Sequence, residues 1–205
     1  MAFEDPGKPR YTKHESARDM TICIPSKKNW FIILFLGFWL VGWVIGEVTA
    51  IGVLGGGLFK IISGALPDAT TSGAWAFGGL FMIAWLGGWT IGGAFAIYAW
   101  LWQVKGVEEI VISYEGLKIN KKIPIWTSSK NYRLKDIVSL RVSNSCASIW
   151  NMSGGMEFWG ITGGKLAFDY GAKTVRFGIG VDEAEAKRII KDIEMRFPSI
   201  TEKTR

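Results

Sequence analysis

Residues 30–59 read WFIILFLGFWLVGWVIGEVTAIGVLGGGLF, and residues 74–104 read AWAFGGLFMIAWLGGWTIGGAFAIYAWLWQV. Glu47 is the only charged residue in the first stretch, and the second has none. A helix needs about 20 apolar residues to cross the roughly 30 Å hydrocarbon core of a bilayer, and both stretches are longer. Because helices satisfy their own backbone hydrogen bonds in lipid, residues 30–104 are predicted to form a transmembrane hairpin of two α-helices.

The rest of the 205-residue chain divides around this hairpin. Residues 1–29 are polar and too short for a core, so they are predicted to form a cytoplasmic N-terminal tail. Residues 105–199 suffice for one small domain, and residues 200–205 are predicted to be a C-terminal tail. The first apolar run lies too far from the start, and is too long, for a secretory signal peptide.

The charges that flank the hairpin predict its orientation. Six basic residues precede the first helix, whereas the connection over residues 60–73 carries only Lys60 and Asp68. Lys105 follows the second helix, and further lysines come soon after it. Lys and Arg concentrate on the cytoplasmic side of membranes, so a multi-pass protein of the inner (cytoplasmic) membrane is expected, with both termini cytoplasmic.

Small residues recur at a spacing of four in both helices. Small side chains let helix backbones approach closely, so these positions are predicted to be helix-packing sites. The partner is either the other helix of the hairpin or a different subunit. The positions are Gly42, Gly46, Ala84, Gly88, Gly92 and Ala96.

Tryptophans also pair at a spacing of four, which places Trp39 with Trp43, and Trp85 with Trp89, on one helix face each. These mid-membrane faces are candidate interfaces with protein or lipid, and a pigment or quinone is a further alternative. A pigment usually needs a ligating residue, and the only histidine, His14, lies outside both apolar stretches. No cofactor is therefore expected.

Glu47 is the one acidic residue within the apolar stretches. Counting 17 residues from Trp30 at 1.5 Å each gives about 26 Å, so Glu47 is expected near the outer face, within reach of the headgroups. No histidine, basic residue or second acid accompanies it within the stretches. An interfacial position without intramembrane partners is therefore favoured over a transport role.

After Lys105 the pattern changes to short β-rich runs, beginning in residues 107–126 with a turn at Glu115-Gly116. From Asp182 the period becomes helical. Glu185 follows Asp182 by three residues, which is typical of a capping box, and apolar residues then recur on one face. An antiparallel sheet or partial barrel covered by an amphipathic C-terminal helix is predicted. The further strand candidates are 130–134, 137–143, 156–161, 164–170 and 173–179.

Residues 163–193, GGKLAFDYGAKTVRFGIGVDEAEAKRIIKDI, carry a family resemblance when taken with the preceding hairpin. The FDYGAKTVRFG segment and the capped helix resemble those of the bacterial pleckstrin-homology-like membrane proteins. The overall plan is also similar to the photosystem I assembly membrane protein family. The resemblance implies a PH-like barrel that binds proteins or lipid headgroups, and it supplies no catalytic residues.

Two stretches of the predicted domain are candidate binding surfaces. Residues 118–141 hold seven basic residues against one acid, which suits an anionic leaflet, although an ordinary solvated face is the plainer alternative. Residues 142–164 are apolar with one charge, and form either an exposed binding tip or a core hairpin. The lipid headgroup candidates are Lys118, Lys121, Lys122, Lys130 and Arg133, and the interface candidates are Trp150 and Trp159.

The sequence contains no metal-ligand spacing, nucleophile elbow or phosphate-loop motif. Its two cysteines, Cys23 and Cys146, are too far apart in sequence for a disulfide framework and are expected to be free thiols. The chain is interpreted as a non-enzymatic accessory or assembly subunit of a larger membrane complex. Its expected partners are integral membrane subunits and anionic lipids, not nucleic acid. The alternatives are a stand-alone membrane-bound regulator or anionic-lipid sensor and, third, a transporter or enzyme using Glu47.

Overall fold

The structure is a computed structural model that describes residues 9–64, 69–143, 161 and 163–198, with the backbone alone for 69–76. The chain forms two compact units. The helical unit is residues 30–100, and the sheet unit combines residues 1–29 with residues 101–205.

The helical unit contains two long helices, α1 (Trp30–Ile62) and most of α2 (Ala69–Lys105), whose last five residues belong to the sheet unit. The 33 residues of α1 extend about 50 Å at 1.5 Å per residue. Both helices are long and apolar enough to cross a membrane, and only 11% of the most apolar window of each is buried. The predicted pair of apolar helices is confirmed, and Gly55–Gly57 do not interrupt α1.

The sheet unit contains a five-stranded antiparallel sheet in the order β1-β2-β3-β4-β5. Each strand pairs with its neighbour along the chain, although α1 and α2 separate β2 from β3 in sequence. The strands are β1 (Thr12–Glu15), β2 (Asp19–Pro25), β3 (Val107–Ser113), β4 (Gly116–Ile123) and β5 (Trp126–Arg133).

The expectation that residues 1–29 form a tail is wrong for residues 12–25, which form β1 and β2. Met20, Ile22 and Ile24 alternate with less buried residues and are at most 1% exposed, which is the pattern of a strand with one face on a core. The sequence hides this strand because it has only three large apolar residues and no apolar partner nearby in the chain. Its partner, β3, is more than 80 residues away.

A second antiparallel sheet holds β6 (Ile137–Val142), β7 (Leu166–Tyr170) and β8 (Lys173–Phe177) in that order. These strands match the candidates 137–143, 164–170 and 173–179 closely, and candidate 130–134 is the end of β5. Candidate 156–161 lies outside the described residues except for Ile161. Among the strands that are described, the two sheets do not pair with each other, so the expected PH-like barrel is not closed.

The C-terminal helix, α3 (Glu183–Arg196), begins as the sequence predicts. Asp182 accepts a hydrogen bond from the Glu185 N–H at 2.7 Å, and Glu185 accepts one from the Asp182 N–H at 3.1 Å, which completes a capping box. Ile189 and Ile193 are fully buried in one hydrophobic core with residues of both sheets. A mostly antiparallel sheet domain with an amphipathic C-terminal helix is therefore confirmed.

The two ends of the helical segment meet at one end of the strands of the five-stranded sheet. Pro25, at the end of β2, pairs with Val107, at the start of β3. The Ser26 N–H donates to the Gly106 carbonyl at 2.9 Å, and the Asn29 N–H donates to Gln103 Oε1 at 3.2 Å. We call this end of the sheet, where β2 leads into α1 and α2 leads into β3, the junction edge; the name refers to the strand ends and not to an edge strand.

Candidate interaction surfaces

Two tryptophans connect α1 and α2 by donating hydrogen bonds to backbone carbonyls of the neighbouring helix. Trp43 Nε1 donates to the carbonyl of Trp89 at 3.2 Å, and Gly93 follows Trp89 by four residues. In a helix the side chain at i+4 lies near the carbonyl of residue i, so a residue without a side chain leaves that carbonyl accessible. A Cβ added at Gly93 would overlap the Trp43 indole.

The same arrangement occurs a second time, with the tryptophan on α2 and the carbonyl on α1. Trp100 Nε1 donates to the carbonyl of Ile33 at 3.1 Å, and Gly37 follows Ile33 by four residues. A Cβ added at Gly37 would lie 3.4 Å from Trp100 Nε1. An indole N–H is stabilised by a partner in apolar surroundings, and Trp43 and Trp100 each have one on the neighbouring helix, whereas the Trp89 Nε1 is buried without a hydrogen-bond partner among the described residues.

Three of the four mid-helix tryptophans predicted as interface candidates, Trp39, Trp43 and Trp89, lie at this contact between α1 and α2, whereas Trp85 is 41% exposed and contacts Trp89 on its own helix. The rings of Trp85 and Trp89 stack with centroids 4.9 Å apart, and Trp39 contacts Trp89 with centroids 5.9 Å apart. Trp43 reaches the Trp89 backbone from the same helix face as Trp39. Trp39, Trp43 and Trp89 therefore pack against each other within the hairpin, which was not among the occupants considered from the sequence.

The predicted helix-packing residues divide into two groups. Ala96 is buried, and a Cβ at Gly46 would lie 4.0 Å from the Trp89 ring. In contrast, nothing lies within 4 Å of a Cβ built at three of the glycines in the described structure, and Ala84 is also exposed. The outward-facing glycines, at which the other helix of the hairpin does not lie within 4 Å of an added Cβ, are Gly42, Gly88 and Gly92.

Glu47 has a partner that the sequence reasoning missed. Thr90 Oγ1 lies 2.6 Å from Glu47 Oε1, and 2.8 Å from the carbonyl of Leu86 on its own helix. The expectation that Glu47 lacks intramembrane partners is therefore wrong. A search limited to charged residues and histidine overlooks threonine, whose hydroxyl is a small polar partner that helices accept readily.

The five basic residues proposed for lipid headgroups do not share one face of the sheet. Lys118, Lys122 and Arg133 lie on the outer face, since Arg133 pairs with Gly116 and side chains alternate along β4. Lys121 and Lys130 lie on the opposite face: Lys121 has the parity of the buried Leu117 and Ile119, and Lys130 pairs with Ile119. Lys122 forms a 2.7 Å ion pair with Glu109, whereas half-buried Lys121 donates to the Ile161 carbonyl at 3.0 Å.

Glu108 is a buried carboxylate at the junction edge. It is fully buried, and its Oε2 accepts hydrogen bonds from the N–H groups of Gly178 at 2.9 Å and Ile179 at 2.7 Å. Its Oε1 is buried without a hydrogen-bond partner among the described residues. Glu108 thus attaches the segment that precedes α3 to the strand that follows α2. Side chains alternate along a strand, so the spacing of two that relates Glu108 to Ile110 and Ile112 was the sequence signal that Glu108 faces inward.

Burial sets the electrostatics of this carboxylate and its neighbour. Desolvation raises the pKa of Glu108, although the Ile179 N–H, the Lys121 charge and the Gly178 N–H oppose the rise. Desolvation lowers the pKa of Lys121, which pairs with Glu108 across β3 and β4. The adjacent Glu109 behaves oppositely, since the hydrogen bond from Lys122 lowers its pKa.

Asp169 forms an ion pair with Arg141. Arg141 donates from Nη1 and Nη2 to the two carboxylate oxygens at 2.7 and 3.1 Å, and Thr174 Oγ1 donates to Oδ1 at 2.7 Å. The hydrogen bonds from Arg141 and, to a smaller extent, Thr174 lower the pKa of Asp169. This arrangement gives Asp169 a role in joining β6 to β7 and β8.

Within the described part of the chain, no group of three or more His, Cys, Asp and Glu residues could hold a metal ion. Cys23 is a free thiol, as expected, and burial raises its pKa. Trp150, Trp159 and Cys146 lie outside the described residues, so the predicted binding tip stays a prediction. No family model, curated protein or solved structure matches the chain.

The tryptophan–glycine contact predicts a difference between two adjacent glycines. Gly93→Ala should loosen the hairpin by about 1–3 kcal/mol, because the new methyl group displaces the Trp43 indole. Gly92→Ala adds the same methyl group to an open face and is the matched control. Spin labels at Val44 and Ile91, in a chain with Cys23→Ser and Cys146→Ser, report the separation of the helices. Equal distance distributions in both variants would contradict the contact.

The buried carboxylate predicts a pH dependence. A folded-state pKa of Glu108 above the unfolded value favours folding at low pH, and this contribution is lost as the pH rises through the folded-state pKa. Glu108→Gln should therefore remove a decline in the free energy of unfolding above about pH 4.3. Urea titrations of the full chain in detergent, followed by near-ultraviolet circular dichroism at several pH values, measure this.

Glu109→Gln is the control, and its effect has the opposite sign. Because the folded-state pKa of Glu109 is lowered, its contribution is present above the unfolded pKa and is lost as the pH falls. Glu109→Gln should thus flatten the acidic limb and leave the decline at higher pH in place. A Glu108→Gln variant with the parent's decline at higher pH would show that burial of Glu108 does not control it.

Proposed function

We propose that the chain is a non-enzymatic integral membrane protein that acts by binding, as an accessory or assembly subunit of a larger membrane complex. The observation that carries this proposal is the pair of helices long and apolar enough to span a bilayer, with little of either helix buried. Large exposed apolar side chains cover their outer surfaces, including Phe31 at 75% and Phe38 at 85%. A surface of this kind suits lipid or the helices of another subunit.

The arrangement of small residues supports a subunit role. The hairpin makes its own contact through tryptophans and Gly93, so Ala84, Gly88 and Gly92 are not required for it. These three residues recur every four positions along α2 and form one small-residue face. We propose that this face packs on a helix of another integral membrane subunit.

The sheet unit would then lie on the cytoplasmic side of the inner membrane, with both termini there, as the flanking lysines favour. The resemblance to PH-like membrane proteins supports a binding role for this unit. The exposed side chains of Lys118 and Arg133 on its outer face favour the second candidate function, that of a stand-alone regulator that senses anionic lipids.

Purification of the full-length protein from its native membrane in mild detergent tests the proposal. A subunit should retain partners in fixed stoichiometry, whereas a protein recovered alone or as a homo-oligomer would contradict the subunit role and favour the lipid sensor. Gly88→Leu should reduce partner retention several-fold, because its bulk would separate the two helix backbones.

Gly87→Leu is the matched control for this experiment, since Gly87 is equally open but lies on a different face of α2. Partner retention in Gly87→Leu should equal that of the parent. If Gly88→Leu also retains the same partners in the same ratio, the small-residue face is not the contact.

A further inference from the structure

The turn between β4 and β5 has an apolar tip. Pro124 and Ile125 form the turn, and the side chains of Ile125 and Trp126 are 74% and 59% exposed. Tight hairpin turns usually carry Gly, Asn or Asp, whose backbone and polarity suit a turn in water. Two large apolar side chains in succession at such a position indicate that the tip is covered by something other than water.

The strand registers place this tip at the junction edge. Val107 pairs with Pro25 on one side and with Lys122 on the other, and Ile123 pairs with Trp126. Neighbouring strands lie about 5 Å apart, so the turn begins two residues beyond Lys122, the β4 position adjacent to Val107. The tip therefore lies at the same end of the sheet as the connections to α1 and α2.

Charge distinguishes the two ends of the five-stranded sheet. The junction edge carries four exposed lysines, and one of them, Lys122, forms an ion pair with Glu109. The opposite end carries the acidic residues Glu15, Asp19 and Glu115 beside Arg18 and Arg133, and Glu15 forms ion pairs with Lys13 and Arg196, so this end has no excess of basic charge. Anionic lipid headgroups attract lysines near a membrane surface. The junction-edge lysines are Lys27, Lys28, Lys105 and Lys122.

We propose that Ile125 and Trp126 insert into the lipid interface of the bilayer leaflet from which the two helices emerge. This inference rests on the proposed membrane-spanning function, and it adds a third contact of the chain with the same membrane. Tryptophan favours the headgroup region, where its apolar ring and its N–H are both accommodated. The surrounding lysines match an anionic leaflet, and the insertion would fix the tilt of the sheet unit against the membrane surface.

The inference is tested with an environment-sensitive fluorophore on Ile125→Cys in the full-length chain carrying Cys23→Ser and Cys146→Ser. The protein is reconstituted in vesicles of phosphatidylcholine and phosphatidylglycerol that include lipids spin-labelled near the top of the acyl chain. We expect quenching at Ile125→Cys to be several-fold stronger than at Glu115→Cys. The latter carries the same label on an exposed turn at the opposite end of the sheet.

A label on Val44→Cys, an exposed position within α1, separates the two possible failures. It is read with lipids spin-labelled deep in the acyl chain. Absence of quenching at Val44→Cys would contradict the membrane-spanning function itself. Quenching at Val44→Cys together with quenching at Ile125→Cys no stronger than at Glu115→Cys would overturn the insertion alone. A label at Ile125→Cys that is shielded from water but not quenched by lipid would instead indicate that the turn contacts protein, in the same chain or a second copy, and would also overturn it.

Discussion

The pairing of β2 with β3 is the constraint on which the rest of the structure depends. These strands are joined by both long helices, so closing the pair fixes the two ends of a segment of about 80 residues beside each other, at an entropic cost. Burial of Ile22 and Ile110, which face the same core as neighbours in the register, offsets that cost. The hydrogen bond between Ser26 and Gly106 then joins the two chain segments directly at the junction edge.

Both units satisfy costly polar groups with backbone atoms. In the helical unit, the indole N–H of Trp43 uses a carbonyl that Gly93 leaves accessible. In the sheet unit, the carboxylate of Glu108 uses the N–H groups of Gly178 and Ile179. Unpaired polar groups in apolar surroundings are destabilising, so these bonds hold specific elements together. Because they are internal, the outer helix faces and the β4–β5 turn remain accessible to partners or lipid.

The sequence predicts the parts of this structure whose signal is local. The two apolar helices follow from composition, and α3 follows from the period of its apolar residues and from Asp182 with Glu185. Strand β2 was missed because its partner is distant in the chain. The division between inward Gly93 and outward Gly92 depends on which way each helix is turned, and a spacing of four occurs on several faces of a glycine-rich helix. The inward position of Lys121 could have been found from its parity with Ile119.

Labelling of cysteines in intact cells tests the central claim, a hairpin that crosses the membrane twice and keeps the sheet unit inside. The probes are Ser72→Cys, in the first residues of α2, and Lys173→Cys, at the start of β8, each in a chain without other cysteines. A membrane-impermeant maleimide should label Ser72→Cys in intact cells, and it should label Lys173→Cys only after lysis. Labelling of Lys173→Cys in intact cells, or absence of labelling at Ser72→Cys in intact cells, would contradict the account.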